Sequence, residues 1–181
     1  VYDSRTGKAL FQFIRGVKGV LKRKIYNLFR VSRVNGIHIR PLTTDLWTVM
    51  ETFDEQQYLD LCQGADPKVI FDLGANIGDS AVFFARRYPN TTILSVECDA
   101  SNFELLCKNC TPYPNIIPIK AAVWGTKQML SLDTNLNKNA VRVVDNDTFS
   151  GRTQQIESVT IPELMERYGV SGSDILKVDM E

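Results

Sequence analysis

The sequence feature that most constrains the fold is the stretch VIFDLGANIGDS at residues 69–80. Its first half is a short, continuous apolar run, which is typical of a strand buried on both faces of a sheet. Gly74 and Gly78 follow, and residues 79–88 then show the apolar spacing of a helix. A buried strand, a glycine turn and a helix in this order predict the first unit of an α/β sheet.

The rest of the chain continues this alternation. TILSVE, IIPIKAAVW and DILKVDM, which begin at residues 92, 116 and 174, predict three more core strands, and Pro118 marks an edge or an irregularity. Capping boxes at 101–104 and 160–163 predict two helix starts, and Gly169 ends the second helix. MLSLD and AVRVVD predict a small antiparallel pair. We therefore predict an α/β, doubly wound, Rossmann-like sheet with parallel core strands in the order 3-2-1-4.

Charge divides the chain into two predicted parts. The net charge is zero, but residues 1–40 carry ten Lys or Arg and one acid, so the remainder has a net charge of −9. We predict a basic amphipathic N-terminal helical segment at residues 1–36, with its apolar stripe at 10–30, and a domain at residues 37–181. The segment is interpreted as packing on the domain or on a partner, with peripheral membrane attachment as the alternative. This distribution argues against a nucleic-acid-binding core.

In the second part, GIHIR predicts a short strand, and Thr44 or Asp45 is expected to cap a helix over residues 46–61. Four cysteines in 181 residues predict no disulfide framework and a reducing, cytoplasmic setting. Cys107 and Cys110 form a C-x-x-C pair, but no second pair follows, so we predict no metal site. No apolar run reaches the roughly 18 residues of a membrane span.

The glycine turn does not match a phosphate-binding loop. Aligned on Gly74, the dinucleotide fingerprint G-x-G-x-x-G would place its second and third glycines at Asn76 and Asp79. Two acids at the turn favour a ligand with positive charge and no phosphate, as in S-adenosylmethionine. Glu97 ends the second strand, 23 positions after Gly74, where an acid typically binds ribose hydroxyls.

These residues make the chain resemble the FkbM family of S-adenosylmethionine-dependent methyltransferases. The resemblance covers roughly residues 37–181 and includes RPLTTD, FDLGANIG, VECDASNFELLCKN, KAAVWG, VTIPELMERYG and ILKVDME in family order. It implies a class I methyltransferase sheet and methyl transfer, typically to an oxygen of a sugar, polyketide or related metabolite. The family's segments after the final glutamate are absent, so we expect a sheet truncated after the fourth core strand.

The resemblance also implies roles for individual residues. Glu97 would hold the ribose, and Cys98, where the family often has proline, and Asp99 would flank the adenosine. The methionine part of the cofactor would be surrounded by Asp72, Gly74, Ala75, Asn76 and Gly78. Asp179 and Glu181 follow the strand expected beside the first one, so both are interpreted as catalytic, with Asp179 as the base or the substrate-orienting group.

Two other functions stay open on the sequence alone. The chain could be an NAD-dependent enzyme, against which the missing glycines count, or a non-catalytic adenosyl- or nucleotide-binding module. For the methyltransferase, the predicted partner is a small-molecule or glycan hydroxyl acceptor. An unpaired edge at the last core strand, residues 175–178, further predicts that the chain is marginally stable, self-associates through this edge, or is a piece of a longer chain.

The basic segment at residues 10–30 generates the first prediction. Because we interpret it as a packing element, we expect only weak co-sedimentation of the chain with anionic lipid vesicles at moderate salt. Strong binding that salt weakens, and that is lost when residues 1–31 are deleted, would instead support membrane attachment.

Overall fold

The computed structural model describes residues 32–133, 142–144 and 153–179. The predicted helical segment at residues 10–30 and the predicted catalytic residue Glu181 therefore lie outside the described residues. The division of the chain at residue 36 stays a prediction.

The main sheet has four parallel strands, and their order is the predicted one. They are β3 (Val69–Leu73), β4 (Thr92–Glu97), β5 (Ile116–Lys120) and β10 (Ile175–Val178). The order across the sheet is β10-β3-β4-β5, with β3 and β4 in the centre. Pro118 lies in β5, an edge strand of this sheet, as predicted. The carboxyl ends of β3, β4 and β10 therefore meet at one edge of the sheet.

Helices cover both faces of this sheet. On one face lie α1 (Asp45–Phe53), α2 (Asp79–Arg87) and α3 (Ala100–Cys110), packed on strand residues such as Ile70 and Ile93. On the other face, α4 (Ile161–Tyr168) packs through Leu164 on Phe71 and Leu94. Each fully buried apolar side chain contributes about 1.5–3 kcal/mol to folding, so the two layers fix the sheet between them.

A second, smaller sheet follows β5. It contains β6 (Ala122–Val123), β7 (Met129–Asp133), β8 (Arg142–Val144) and β9 (Thr153–Val159), in the order β6-β9-β7-β8. The predicted antiparallel pair is confirmed as β7 and β8. The predicted third core strand at 116–124 is wrong in extent, because the chain leaves the main sheet at Ala121. Strand β9 was not predicted, since its sequence, TQQIESV, has little apolar alternation.

The helix starts were predicted with mixed success. The capping box of α4 is confirmed: Thr160 Oγ1 accepts from the backbone N–H of Glu163, whose side chain accepts from the backbone N–H of Thr160. Gly169 ends this helix in the left-handed conformation, with a φ of 64°. The predicted box at 101–104 is wrong, because Asp99 caps α3 by accepting from the backbone N–H of Asn102.

Helix α1 is shorter than predicted. Thr44 precedes it but forms no side-chain cap, and Thr43 Oγ1 instead accepts from the backbone N–H of Asp45. The helix ends at Phe53 and not at residue 61, because the chain turns at Gln56, whose φ is 55°. A separate 3-10 turn forms at Asp60–Cys62.

A short hairpin precedes α1. Its strands, β1 (Arg33–Val34) and β2 (Ile37–His38), pair antiparallel around Asn35 and Gly36, whose φ values are 50° and 81°. Positive φ at both central residues is the geometry that Asn-Gly favours in two-residue hairpins. Only β2 was predicted. The hairpin pairs residues across the predicted domain boundary, and Val34 is buried in the core.

Helices α1 and α2 are joined by a buried hydrogen bond. Thr52 Oγ1 donates to Asp79 Oδ2 at 2.5 Å, and both side chains are buried. Burial raises the pKa of Asp79 from its ordinary value of 3.8 to about 6.

Among the helices that the structure describes, none combines the length and apolar character needed to cross a membrane.

The raised pKa of Asp79 predicts a pH-dependent stability. Since the folded state binds this proton more tightly than the unfolded state, the stability contribution falls as pH rises from about 4 to 6. We expect the free energy of unfolding of the parent chain, relative to Asp79→Asn, to fall by up to about 3 kcal/mol across that window. Urea unfolding at several pH values measures this difference.

Asp66→Asn is the control for this prediction, because the Asp66 side chain is 89% exposed. Its difference from the parent chain should stay nearly constant over the same pH range. A difference between the parent chain and Asp79→Asn that is flat, or that grows as pH rises, would contradict the assigned pKa.

The edge of the main sheet generates a further prediction. Among the described residues, β10 pairs with β3 alone, and its Leu176 side chain is 49% exposed. We expect the chain to self-associate through this edge and Leu176→Lys to reduce the association, because a charged residue discourages edge pairing. Light scattering over a concentration series measures this self-association.

Leu61→Lys, equally exposed at 49% but on the 3-10 turn, is the matched control. Equal effects of the two variants, or a monodisperse parent monomer, would refute the prediction.

Candidate functional site

The glycine turn connects β3 to α2 at the carboxyl edge of the sheet. Gly74, Asn76 and Gly78 have φ values of 76°, 48° and 86°, so three of its residues adopt the left-handed conformation. The backbone N–H groups of Gly74 and Ala75 both donate to the carbonyl of Val96, at 3.0 and 2.9 Å. These bonds tie the turn to the end of β4, where Glu97 follows.

Gly78 is required by packing. A Cβ at this position would lie 2.7 Å from Leu106 Cδ1 and 3.3 Å from Cys110 Sγ, both on α3. The missing side chain therefore lets α2 begin close against α3. The resemblance placed Gly78 around the cofactor, whereas its neighbours here are the side chains of the next helix.

Glu97 and the glycine turn meet directly. Glu97 Oε2 accepts from the backbone N–H of Asn76 at 2.8 Å, and Oε1 accepts from that of Asp99 at 2.7 Å. The residue is 6% exposed, and burial raises its pKa, although the hydrogen bonds from Asp99 and Asn76 lower it. A carboxylate can accept about four hydrogen bonds, so each oxygen keeps acceptor capacity. That capacity fits a vicinal diol, which supplies two hydroxyl donors.

Asn76 supplies a second acceptor at the same place. Its Oδ1 atom is buried and accepts no hydrogen bond from any residue that the structure describes. Buried polar atoms are nearly always satisfied in folded proteins, so an unpaired one calls for a partner. A ligand that carries hydroxyl or ammonium donors would satisfy it, which fits the cofactor implied by the resemblance.

Asp72 lies beneath the turn. It has no exposed surface, accepts from Ser80 Oγ at 2.9 and 3.1 Å, and lies 3.1 Å from Lys177 Nζ. Lys177 Nζ also donates to the carbonyl of Gly74 at 2.7 Å. Burial lowers the pKa of Lys177, but Asp72 and other acids outweigh this, and the pKa is raised. Asp72 thus supports the turn from below, together with a lysine that the sequence analysis did not single out.

Lys177 could have been found from strand periodicity. Ile175 and Lys177 occupy alternate positions of β10, and Ile175 is buried, so Lys177 faces the same way. A buried lysine requires an acid, and Asp72 is its partner in the register of β3 and β10.

The other predicted residues surround this centre. Cys98 is partly exposed, and burial raises the pKa of its thiol to about 12. Asp99 uses its carboxylate to cap α3. Asp179 follows β10, donates its backbone N–H to the carbonyl of Leu73 at 3.0 Å, and exposes 75% of its side chain. The structure thus brings Asp179 to the same edge as the glycine turn.

Arg40 was also missed. Its guanidinium forms a fork with Asp45, through Nε to Oδ2 at 2.8 Å and Nη2 to Oδ1 at 2.7 Å. Nη1 donates to Ser101 Oγ at 2.9 Å, and Nη2 also donates to Asn102 Oδ1 at 2.8 Å. Arg40 therefore joins the segment before α1 to the first turn of α3. It lies in the RPLTTD motif, but no local pattern pairs an arginine with partners about 60 residues away.

Comparison with solved structures gives several similar methyltransferases. Methyltransferase FkbM from Methylobacillus flagellatus KT is 15% identical, with a TM-score of 0.42, over 64% of this chain and 26% of that one. Coclaurine N-methyltransferase bound to N-methylheliamine and SAH is 17% identical, with a TM-score of 0.36, over 66% and 38%. SAH-bound methyltransferase PaMTH1 from Podospora anserina is 13% identical, with a TM-score of 0.30, over 67% and 51%.

The chain thus spans between about a quarter and a half of these proteins. No curated protein matches it. The model of one family, the methyltransferase FkbM domain, matches residues 72–181, which is more than half of the chain. The predicted cofactor, S-adenosyl-L-methionine, agrees with this family match. The chain therefore belongs to the FkbM methyltransferase domain family.

Proposed function

We propose that this protein is an S-adenosylmethionine-dependent methyltransferase that methylates a hydroxyl oxygen of a sugar, a glycan or a secondary metabolite. The observation that supports the cofactor site is the contact between Glu97 and the backbone N–H of Asn76, at 2.8 Å. It joins an acid with free acceptor capacity to a turn whose Asn76 Oδ1 accepts from none of the described residues. Glu97 and Asn76 Oδ1 are both hydrogen-bond acceptors, and a ribose diol and an ammonium supply the donors.

The charges around the turn support a cationic ligand. Asp79, Glu97 and Asp179 lie in or beside it, and Asp72 is paired there with Lys177, so acidic charge remains in excess among the described residues at the turn. A pyrophosphate at this place would meet carboxylates where phosphate-binding turns offer backbone N–H groups. These charges count against the NAD-dependent alternative.

The residues of this chain would contribute mainly binding and orientation. Glu97 would accept from the ribose hydroxyls, and Asn76 from a donor of the methionine part. When bound, the cofactor supplies a methyl group activated by its sulfonium. Holding an acceptor hydroxyl in line with that methyl can lower the barrier by several kcal/mol.

We assign Asp179 to the orientation and deprotonation of the hydroxyl that receives the methyl group. Its carboxylate is 75% exposed at the carboxyl end of β10, beside the glycine turn, with Oδ2 4.0 Å from Lys177 Nζ. An exposed carboxylate there can orient a hydroxyl and accept its proton at or near the transition state. Glu181 follows two residues later and would assist it.

The setting and the other partners are proposed from the sequence. Four free cysteines suit a reducing, cytoplasmic compartment. The basic segment at residues 10–30 would contact the domain or a partner.

The proposal predicts the effect of Glu97→Gln on cofactor binding. The substitution keeps the size of the side chain but removes its charge and one acceptor oxygen. Hydrogen bonds to charged groups contribute about 1.5–3 kcal/mol, so S-adenosylmethionine should bind about ten- to a hundredfold more weakly. Isothermal titration calorimetry measures the dissociation constant.

Glu104→Gln is the matched control, because Glu104 is an exposed acid on α3, and its affinity should equal that of the parent chain. NAD should not bind the parent chain. Tighter binding of NAD than of S-adenosylmethionine would refute the proposed cofactor.

The acceptor class is tested separately, by transfer of labelled methyl to a panel of hydroxyl compounds. Labelling of amines alone would refute O-methylation.

A further inference from the structure

The segment before α1 reaches the candidate cofactor site through one side chain. Arg40 lies outside residues 72–181, which the family model matches, yet its guanidinium contacts Ser101 and Asn102 in the first turn of α3. That turn directly follows Glu97, Cys98 and Asp99. We propose that Arg40 is a positioning residue of the cofactor site, which holds the first turn of α3 and thereby fixes the carboxylate of Glu97 against the glycine turn.

The guanidinium is itself held firmly. Asp45 has no exposed surface, and it accepts from the backbone N–H, Nε and Nη2 of Arg40 at 2.7–2.8 Å. A two-point fork between guanidinium and carboxylate fixes orientation as well as distance. The remaining donors of Arg40 therefore reach α3 from a fixed position.

A continuous series of hydrogen bonds leads from Arg40 to the glycine turn. Arg40 Nη2 donates to Asn102 Oδ1 at 2.8 Å, and the backbone N–H of Asn102 donates to Asp99 Oδ1 at 2.8 Å. The backbone N–H of Asp99 donates to Glu97 Oε1 at 2.7 Å, and Glu97 Oε2 accepts from Asn76. Each link uses a residue that is already fixed by the one before it, so a shift at Arg40 is passed on to Glu97.

The charge of Arg40 also acts on Glu97. The hydrogen bond to Asp45 and the charges of Asp45, Asp99 and Glu97 raise the pKa of Arg40, against burial, which lowers it. Attraction between two charges is mutual, so Arg40 also favours the ionised form of Glu97. Asp99 also lies beside Glu97 and opposes its ionisation, and Lys120 faces Glu97 in the register of β5 and β4.

The inference rests on the proposed function, because it concerns a site for S-adenosylmethionine. A merely structural Arg40 would stabilise the fold without acting through Glu97. A double-mutant cycle separates the two roles, since residues that act through one another have non-additive effects. The probe is S-adenosylhomocysteine, titrated calorimetrically into the 181-residue parent chain, Arg40→Gln, Glu97→Gln and the double variant.

We expect Arg40→Gln to weaken binding about tenfold in the parent chain and less than about twofold in the Glu97→Gln background. The pH below which binding is lost should also move upward in Arg40→Gln, because Glu97 then ionises less readily. Arg86→Gln is the matched control. Arg86 donates to Tyr113 and to the carbonyl of Asn35, contacts that hold the hairpin. It should leave both the affinity and the pH profile unchanged.

Equal weakening in both backgrounds, or an effect of Arg40→Gln no larger than that of Arg86→Gln, would overturn the inference and leave the proposed function intact. A parent chain that binds neither S-adenosylhomocysteine nor S-adenosylmethionine would overturn both. If circular dichroism shows that Arg40→Gln does not fold, Asn102→Ala breaks the next link and takes its place. It should show the same non-additivity with Glu97→Gln, and additivity would overturn the inference.

Discussion

The candidate site depends on a buried ion pair between two neighbouring strands. Lys177 of β10 lies 3.1 Å from the Asp72 carboxylate of β3 and donates to the carbonyl of Gly74. Taking two charges out of water is costly, and removing one partner of such a pair typically costs about 3–5 kcal/mol. Because Lys177 contacts both Asp72 and Gly74, a change in the register of β10 on β3 would also move the glycine turn. Glu97 and Asn76 can meet only because this turn is held in place.

The parts that could be predicted from the sequence are those with local causes. The apolar runs of β3, β4 and β10 and the helical spacing between them predict parallel strands joined by crossover helices. The capping box at Thr160 was predicted for the same reason, since both of its partners lie within three residues. The glycine turn and Glu97 could be placed at one edge because parallel strands end together.

The parts that were missed have distant causes. Two residues compete to cap α3, and Asp99 prevails because its backbone N–H is fixed by Glu97 while the hydroxyl of Ser101 is engaged by Arg40. Strand β9 is mostly polar and forms because β7 and β6 pair with its two sides. Arg40 finds partners about 60 positions away, and no window of sequence contains both ends of such a contact. Strand periodicity could predict that Lys177 is buried, but not its contact with the Gly74 carbonyl 103 positions away.

The close approach of α2 and α3 at Gly78 has a consequence for how mutations in this chain are interpreted. Any larger residue there would push Leu106 and Cys110 outward and move α3 with them. Asp99 caps that helix, and its backbone N–H donates to Glu97. Through packing alone, Gly78 would then behave like a ligand-binding residue in a survey of substitutions. A glycine that tolerates no substitution in such a turn therefore cannot be assigned as a ligand contact on that ground alone.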